Sequence, residues 1–345
     1  MFTLRQYLLA LLDSRGLTRT LGEIDVCRDE QGRPCFSAGN SAAVFRIRLG
    51  GRIRSLRCYL RPMRHLKEIY GQRLLEKELY LHTSPETGVW VDTVLGDWIE
   101  GSTLHETVAQ AAALRDRESL QILVRLFDRL ALALVTDDRA HGDLKPENII
   151  VGDDGTLCPI DFDASYLPAF AGEISPELGT AAYQHPARTA ADFDERIDDY
   201  PAALISTALH ALAENPTLWD RYGSSDGLLY TPQRIASDPA YRETLALFEK
   251  RGMAVQYRIA QLLTAPTLRL FGLAELLAEA VREKPAVRSG TEAEMPELFV
   301  ENGRWGYRTA ERVVVAPLYD NGFDFTEGLA AVQLGGTWHY IDTAG

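Results

Sequence analysis

Apolar and polar residues alternate over short stretches near the start of the chain, which predicts a small antiparallel sheet. The segment from Cys35 to about Tyr59 is basic and rich in β-favouring residues, and Gly50 and Gly51 stand where a hairpin turn is needed. Residues 64–82 are rich in Leu, Glu, Lys and Arg, and only Gly71 interrupts them, which predicts a helix packed beside the sheet. The strand-like run VWVDTVLGDWI follows.

The rest of the first 282 residues has mainly helical periodicity. A long Leu/Ala/Arg segment from about Thr103 to Leu134 predicts helix, and helical patterns continue from about Ile197 to Val281. The first residues, MFTLRQYLLALLDSRG, predict a short amphipathic helix, because Arg5 and Asp13 interrupt the apolar run. The chain therefore passes from a sheet-rich region to a helix-rich one.

The last part of the chain repeats itself. EKPAVRSGTEAEMPE, at 283–297, has the composition of a linker, and beyond it Gly303–Tyr307 (GRWGY) is echoed by Gly336–Tyr340 (GTWHY). Repeated units of this kind stack on one another, and such arrays generally need about three units to bury a continuous core. We therefore expect the natural protein to continue beyond Gly345.

Composition and charge limit the possible functions. A chain of 345 residues is long enough for two domains, and its net charge of -13 argues against a non-specific hold on nucleic acid or on an anionic membrane. The four cysteines form no CxxC pair and have no histidine at metal-ligand spacing, which fits a reducing cytoplasm. No stretch approaches the roughly 18 apolar residues that span a bilayer. Any phosphate-binding site must be locally basic.

Candidate chemistry is concentrated in the stretch His141-Gly142-Asp143-Leu144-Lys145-Pro146-Glu147-Asn148 and in Asp161-Phe162-Asp163 that follows it. Two carboxylates and an amide recur there at a spacing that resembles the catalytic loop, HxDxKxxN, and the DFG motif of eukaryotic-type protein kinases. The resemblance extends over about residues 35–282.

The kinase resemblance implies a role for each matching residue. Asp143 would accept or orient the substrate hydroxyl, and Lys145 would contact the transferred phosphate, as in serine/threonine-specific members. Asn148 and Asp161 would hold Mg²⁺ as oxygen ligands. A polar loop whose Asp and Asn merely cap turns is the alternative.

Upstream, the resemblance implies a nucleotide-binding region that departs from the family pattern. Gly39 is the single glycine left of the glycine-rich loop, which ends at Val44. Arg57 replaces the lysine that contacts ATP, and Glu76 is the best match for that lysine's glutamate partner, ahead of Glu78. Trp98 lies in the segment that would form the hinge reading the adenine edge, although it fits a core position equally well.

Downstream, Gly179-Thr180-Ala181-Ala182-Tyr183 resembles the family's GTxxY stretch, and Asp198 matches the buried aspartate that anchors the catalytic loop. Gly142 stands where many members have an arginine that pairs with a phosphorylated activation segment, so activity should not depend on such a switch. Asp163 replaces the glycine of DFG and could ligate the metal or repel phosphate.

The C-terminal segment resembles WG repeats, and the matching positions are Trp305, Gly306, Tyr307, Pro317, Tyr319, Asp320, Phe325, Glu327, Gly328, Leu329 and Ala330. Aromatic residues at strand spacing usually pack in a core. The aromatic residues are therefore expected to pack in the core of the segment. The segment as a whole is interpreted as an interaction module that binds a protein partner.

Taken together, the resemblances predict an α+β chain with a bilobal kinase-like fold. We expect an N-terminal helical extension (1–34), a kinase-like domain (35–282, with a β-rich lobe at about 35–97 and a helical lobe at about 102–282), a linker (283–297) and an incomplete WG repeat segment (298–345). The implied function is ATP- and Mg²⁺-dependent transfer to protein serine or threonine hydroxyls in the cytoplasm. A pseudokinase that acts as a scaffold and a small-molecule kinase remain as alternatives.

Overall fold

The computed structural model describes residues 1–152, 155–282, 296–309, 312–325, 329–334 and 337–342. The chain divides into two compact units, Met1–Arg282 and Glu283–Gly345. The larger unit is rich in strands up to Asp97 and mainly helical from Leu104 onward. The predicted mixture of a strand-rich part followed by a helical part is therefore confirmed.

The N-terminal part of the larger unit is a six-stranded sheet flanked by two helices. Its elements are α1 (Leu4–Leu12), β1 (Asp25–Val26), β2 (Phe36–Ala38), β3 (Ala42–Leu49), β4 (Arg52–Tyr59), α2 (Leu66–Tyr70), β5 (Leu74–His82) and β6 (Gly88–Asp97). The strands are ordered β1-β3-β4-β6-β5, and β2 also pairs with β3. The hairpin predicted around Gly50 and Gly51 is formed by β3 and β4, and both glycines have positive φ angles.

Helix α1 packs on this sheet and is part of its core. Tyr7 and Leu11 share a buried cluster with Phe45 and Leu56, and the Tyr7 hydroxyl donates a hydrogen bond of 2.6 Å to the carbonyl of Tyr59. Burial raises the pKa of the Tyr7 phenol, which therefore keeps its proton and remains a donor. The N-terminal 34 residues thus help to hold β4, which carries Arg57.

The prediction of a helix over 64–82 is wrong for most of that range. Helix α2 has only five residues, because Gly71 follows it with a φ of 53° and turns the chain away. Residues 74–82 form β5, in which Leu79 and Leu81 are fully buried on one face of the sheet. Pairing with β6 and burial at every second position outweigh the helical propensity of Leu, Glu and Lys in this segment.

The second part of the larger unit is mainly helical and contains a small three-stranded sheet. Its elements are β7 (Gly101–Thr103), α3 (Leu104–Leu114), α4 (Arg117–Thr136), β8 (Ile149–Gly152), β9 (Leu157–Pro159), α5 (Asp199–Glu214), α6 (Leu218–Tyr222), α7 (Pro239–Arg251), α8 (Ala254–Leu262) and α9 (Leu273–Arg282). One continuous apolar cluster contains the inner faces of these helices and also Leu144 and Ile149. Among the described helices, none is long and apolar enough to cross a membrane.

The first residue of α5, Asp199, is a buried acid whose titration should affect stability. It accepts the N–H of Leu270 at 3.2 Å, and burial raises its pKa to about 7 from an ordinary value of 3.8. Between pH 3.8 and 7 the folded chain keeps a proton on Asp199 that the unfolded chain releases. The contribution of protonated Asp199 to the free energy of unfolding is therefore fully present below pH 3.8 and is lost as the pH rises through 7.

We therefore expect Asp199→Asn, which cannot ionise, to gain stability relative to the wild type as the pH rises from 4 to 8. The difference in melting temperature between the two proteins should widen by several degrees over that range. Thermal unfolding followed by circular dichroism measures it, and parallel curves for the two proteins would show that Asp199 ionises normally in the fold.

The C-terminal unit consists of short antiparallel strands. They are β10 (Glu297–Glu301), β11 (Arg304–Arg308), β12 (Val313–Tyr319), β13 (Asn321–Gly322), β14 (Leu329–Leu334) and β15 (Thr337–Asp342), arranged as two three-stranded sheets. Tyr307 is fully buried, and its hydroxyl donates to the carbonyl of Phe323 at 2.7 Å. Residues 283–295 of the predicted linker and the repeat positions Glu327, Gly328 and Gly336 lie outside the described residues.

Candidate functional site

The loop from Ala140 to Asn148 connects α4 to β8 and carries most of the candidate chemistry. Asp198, at the start of α5, is 1% exposed and accepts the backbone N–H groups of His141 and, at 3.0 Å, of Gly142. Burial raises the pKa of Asp198, although the two N–H donors act in the opposite direction and lower it. The aspartate therefore has the anchoring position that the sequence predicted for it.

Gly142 is required by the shape of this loop. Its φ is 80°, and a Cβ placed on it would lie 2.0 Å from the carbonyl oxygen of Ala164. A side chain here would collide with backbone and would also strain the left-handed conformation. Glycine at this position lets the loop pass close to the segment after Asp161.

Asp143 lies at the centre of a set of hydrogen-bond donors. Its Oδ1 accepts the N–H of Thr180 at 2.6 Å, and its Oδ2 accepts from Asn148 Nδ2 at 3.2 Å. Lys145 Nζ lies 3.4 Å from the same Oδ2 and donates to the Thr180 hydroxyl at 2.9 Å. Asp143 and Lys145 therefore come together as predicted, and Thr180 takes part in the contact.

A β-hairpin brings the two predicted metal ligands to one place. Asn148 directly precedes β8 and Asp161 follows β9 after one residue, and Ile149 pairs with Pro159 across the two strands. The N–H of Ile160 donates to the carbonyl of Asn148 at 2.9 Å, and His141 Nε2 donates to the carbonyl of Ile160 at 2.7 Å. The Ala140–Asn148 loop and the Asp161 segment are thus held together by one backbone hydrogen bond and one from the His141 side chain.

The donor set at this hairpin suits Mg²⁺. Asn148 Nδ2 donates to the carboxylate of Asp143 and, at 2.9 Å, to the backbone carbonyl of Asp143. The Oδ1 atom of Asn148 is therefore the one that can coordinate a metal. The Asp161 side chain is 38% exposed. Among the described residues there is no cluster of three His, Cys, Asp or Glu that could hold a metal by itself. Two protein oxygens completed by phosphate oxygens and water match the usual coordination of Mg²⁺.

Arg57 reaches this hairpin from the sheet. Its Nη2 donates to Asp161 Oδ1, and its Nε and Nη2 donate to Asp163 Oδ2 at 3.0 and 2.6 Å. Burial alone would lower the pKa of the guanidinium, but the charges of Asp161 and Asp163 outweigh it and raise the pKa. Arg57 therefore stays charged beside the predicted metal ligand.

The other oxygen of Asp163 is also bonded. Its Oδ1 accepts from the hydroxyl of Tyr70 at 2.6 Å and from that of Tyr59 at 3.1 Å. Burial raises the pKa of both phenols, so both remain donors. The Asp163 side chain is 3% exposed, and both its oxygens face protein donors. This arrangement favours a role in holding Arg57, Tyr59 and Tyr70 over the metal-ligand and phosphate-repelling roles that the sequence left open for Asp163.

The predicted partner of Arg57 is wrong. Glu76 lies on β5, where its exposed carboxylate is 3.8 Å from Lys67. Glu78 faces the N-terminal segment and accepts the N–H groups of Arg19, Thr20 and Leu21. The cause is the shortness of α2, because the residues that would have formed a longer helix are in a strand instead.

The other predicted nucleotide contacts are spread along the sheet. Val44 on β3 pairs with Arg57 on β4. The turn that contains Gly39 leads into β3, and the Gly39 N–H donates to the carbonyl of Ala42 at 2.9 Å. Trp98 follows β6, is half-buried and donates from Nε1 to Glu100 at 3.2 Å. Gly39, Val44 and Trp98 have no contact with the Asp143 cluster among the described interactions.

The segment from Glu173 to Thr180 is tied to the rest of the unit by charged side chains. His65 Nε2 lies 3.0 Å from Glu173, and Arg61 pairs with Glu177. The Ser175 side chain is buried and donates to the carbonyl of Glu177. These contacts connect the segment to residues 61 and 65. That activity needs no phosphorylation switch stays a prediction.

Sequence reasoning missed Arg188, which follows the GTxxY stretch. It is buried, and its Nη1 donates to the carbonyl of Gly142 at 3.0 Å and to the side chain of Gln184. The Arg188 guanidinium thus supports the Ala140–Asn148 loop. The glycine at 142, where a cation was expected, was the only sequence signal that could have prompted a search for it.

Comparison with known proteins supports both resemblances. Residues 308–338 match the model of a family described as "WG containing repeat". Over 172 residues the chain is 28% identical to CBL-interacting protein kinase 17 of Oryza sativa subsp. japonica, in an alignment that covers 47% of this chain and 35% of that protein.

A second group of relatives comes from mycobacteria. Over 113 residues the chain is 34% identical to serine/threonine-protein kinase PknL of Mycobacterium tuberculosis, which covers 31% of this chain and 27% of that protein, and the protein of that name from Mycobacterium bovis matches equally. The chain spans about a third of the length of the curated relatives it matches. The predicted resemblance to serine/threonine protein kinases, followed by a WG repeat, is confirmed.

Proposed function

We propose that the chain is an ATP- and Mg²⁺-dependent protein kinase that phosphorylates serine or threonine hydroxyls, with the WG repeat segment as a module that binds a protein partner. One observation carries the proposal: Asp143, Lys145 and Asn148 are in mutual contact, and the β8–β9 hairpin joins them to Asp161. In this proposal the sheet up to Asp97 and the helices from Leu104 are the two lobes of a kinase-like fold.

Asp143 is the proposed base. Its carboxylate is 17% exposed and is oriented by Thr180 and Asn148, so it can accept a hydrogen bond from an incoming hydroxyl and take its proton as transfer proceeds. Lys145 is 3.4 Å away and places a positive charge next to the oxygen that attacks. Charge on the phosphoryl group is thereby offset where it develops.

Arg57 is the proposed phosphate anchor. It stands on the central strand β4 beside Val44, and its planar guanidinium can donate two parallel hydrogen bonds to phosphate oxygens. Asn148 and Asp161 would hold Mg²⁺, which when bound neutralises phosphate charge and fixes the terminal phosphate. Such a protein would work in the cytoplasm, where ATP and Mg²⁺ are present.

A pseudokinase is the competing proposal, and one contact favours it. Arg57 donates to Asp161, so the same carboxylate that would bind the metal is engaged by a cation. Nucleotide binding has to exchange this contact for one with phosphate. If the exchange does not occur, the chain would bind partners without transferring phosphate.

Transfer of label from γ-labelled ATP to a generic basic protein separates the two proposals. The full chain with Mg²⁺ should label the test protein, and EDTA should abolish the labelling. Binding of ATP without labelling of either the test protein or the chain itself would contradict the kinase proposal and support the pseudokinase.

A further inference from the structure

We infer that Asp163 is the positioning residue for Arg57 in nucleotide binding, in place of a glutamate from the helix after β4. The inference rests on the proposed function, because it concerns how the proposed phosphate anchor is held. Asp163 touches Arg57, Tyr59 and Tyr70 and is not proposed to touch nucleotide or metal.

The two carboxylates that Arg57 contacts differ in their surroundings. Asp163 is 3% exposed and has its two oxygens satisfied by four hydrogen bonds, two from Arg57 and one from each tyrosine. Asp161 is 38% exposed and takes a single hydrogen bond from Arg57. When the metal and ATP bind, the exposed carboxylate can leave Arg57, whereas the buried one stays.

The arrangement around Asp163 comes from three separate elements. Arg57 and Tyr59 are two residues apart on β4, so their side chains project from the same face of the sheet. Tyr70 is the last residue of α2, and Asp163 follows β9. A carboxylate held by two phenols cannot rotate away, and it fixes the direction in which the guanidinium points.

A buried charge pair is expected to be sensitive to loss of either partner, because the remaining charge is left without its counterpart. Arg57 Nη1 makes none of the described hydrogen bonds. Nη2 donates to both Asp161 and Asp163, and on nucleotide binding it would exchange Asp161 for phosphate. Asp163, by contrast, holds Nε, the atom nearest the chain. Without Asp163, the Arg57 guanidinium could turn toward Asp161 or toward solvent.

The test measures affinity for a non-hydrolysable ATP analogue with Mg²⁺ by calorimetry, on the full chain. Asp163→Asn should weaken binding about tenfold or more, because it removes charge-assisted hydrogen bonds that orient Arg57. Glu76→Gln is the matched control, since it makes the same chemical change at the exposed position where the helix glutamate was predicted, and it should bind like the wild type.

A double-mutant cycle with Arg57→Met shows whether Asp163 acts through Arg57. If it does, adding Asp163→Asn to Arg57→Met weakens binding no further. In transfer assays Asp163→Asn should raise the KM for ATP and leave the KM for the protein substrate unchanged, which a general loss of structure would not do. Asp163→Ser is the second variant if Asp163→Asn lacks a cooperative thermal transition, because serine still accepts from the tyrosines.

Three results would overturn the inference. Wild-type affinity in the folded Asp163 variants would show that Arg57 needs no help from this carboxylate, while the proposed function would stand. Additive losses in the cycle would show that Asp163 acts independently of Arg57. Absence of analogue binding by the wild-type chain would overturn the proposed function itself, and the role of Asp163 with it.

Discussion

Asp143→Asn is expected to lower the rate of phosphoryl transfer by roughly a hundred- to ten-thousandfold, which is the usual contribution of a positioned general base. Asparagine keeps the size of the side chain and one oxygen that can accept the N–H of Thr180, which now lies 2.6 Å from the carboxylate. It cannot accept a proton from a hydroxyl. Affinity for ATP should therefore change little, since Asp143 is not among the proposed nucleotide contacts.

Steady-state rates with saturating ATP and a protein substrate measure this effect. Asp220→Asn is a suitable control, because it removes a carboxylate of the same kind that is exposed and paired with Arg115. The control should keep the wild-type rate. Retention of most activity by Asp143→Asn would mean that another group takes the proton, and the assignment of the base would be abandoned.

Asp198→Ala is expected to lower the free energy of unfolding by about 3 kcal/mol or more, because two buried N–H groups lose their acceptor. These N–H groups belong to His141 and Gly142, directly before Asp143. The substitution should also reduce transfer, since the loop that carries the base would lose its anchor. Urea unfolding measures the stability.

Asp198→Asn provides the comparison within the same site. Its amide oxygen still accepts one of the two N–H groups, so the loss of stability should be clearly smaller than for alanine. If alanine and wild type differ by less than about 0.5 kcal/mol, the range typical of surface substitutions, the loop does not depend on Asp198.

The catalytic loop was the part of the site most accessible from sequence. Asp143, Lys145 and Asn148 lie within a stretch of six residues, so a short motif is enough to bring them together. Asp198 was also identified, because in the kinase resemblance it matches the buried aspartate that anchors the catalytic loop. Local spacing determines the contacts among Asp143, Lys145 and Asn148, and local spacing is visible in a sequence.

The surroundings of Arg57 were not accessible in the same way. Arg57 and Asp163 are 106 positions apart, and Tyr70 lies on a helix that the sequence predicted to be much longer. The length of that helix is decided by Gly71 and by the pairing of β5 with β6, a long-range interaction that propensity does not report. Both Arg57 and Asp163 were recognised as unusual residues, but nothing in the sequence said that each compensates for the other.

The proposed phosphoryl transfer requires a magnesium-bearing nucleotide between Asn148 and Asp161, and anomalous diffraction tests this directly. Crystals of the full chain grown with Mn²⁺ and a non-hydrolysable ATP analogue should show a manganese peak at roughly 2.0–2.3 Å from Asn148 Oδ1 and from an Asp161 oxygen. Arg57 should then contact phosphate and Asp163 and no longer Asp161. A peak elsewhere, or an Asp161 that stays on Arg57 while the analogue is bound, would contradict the account.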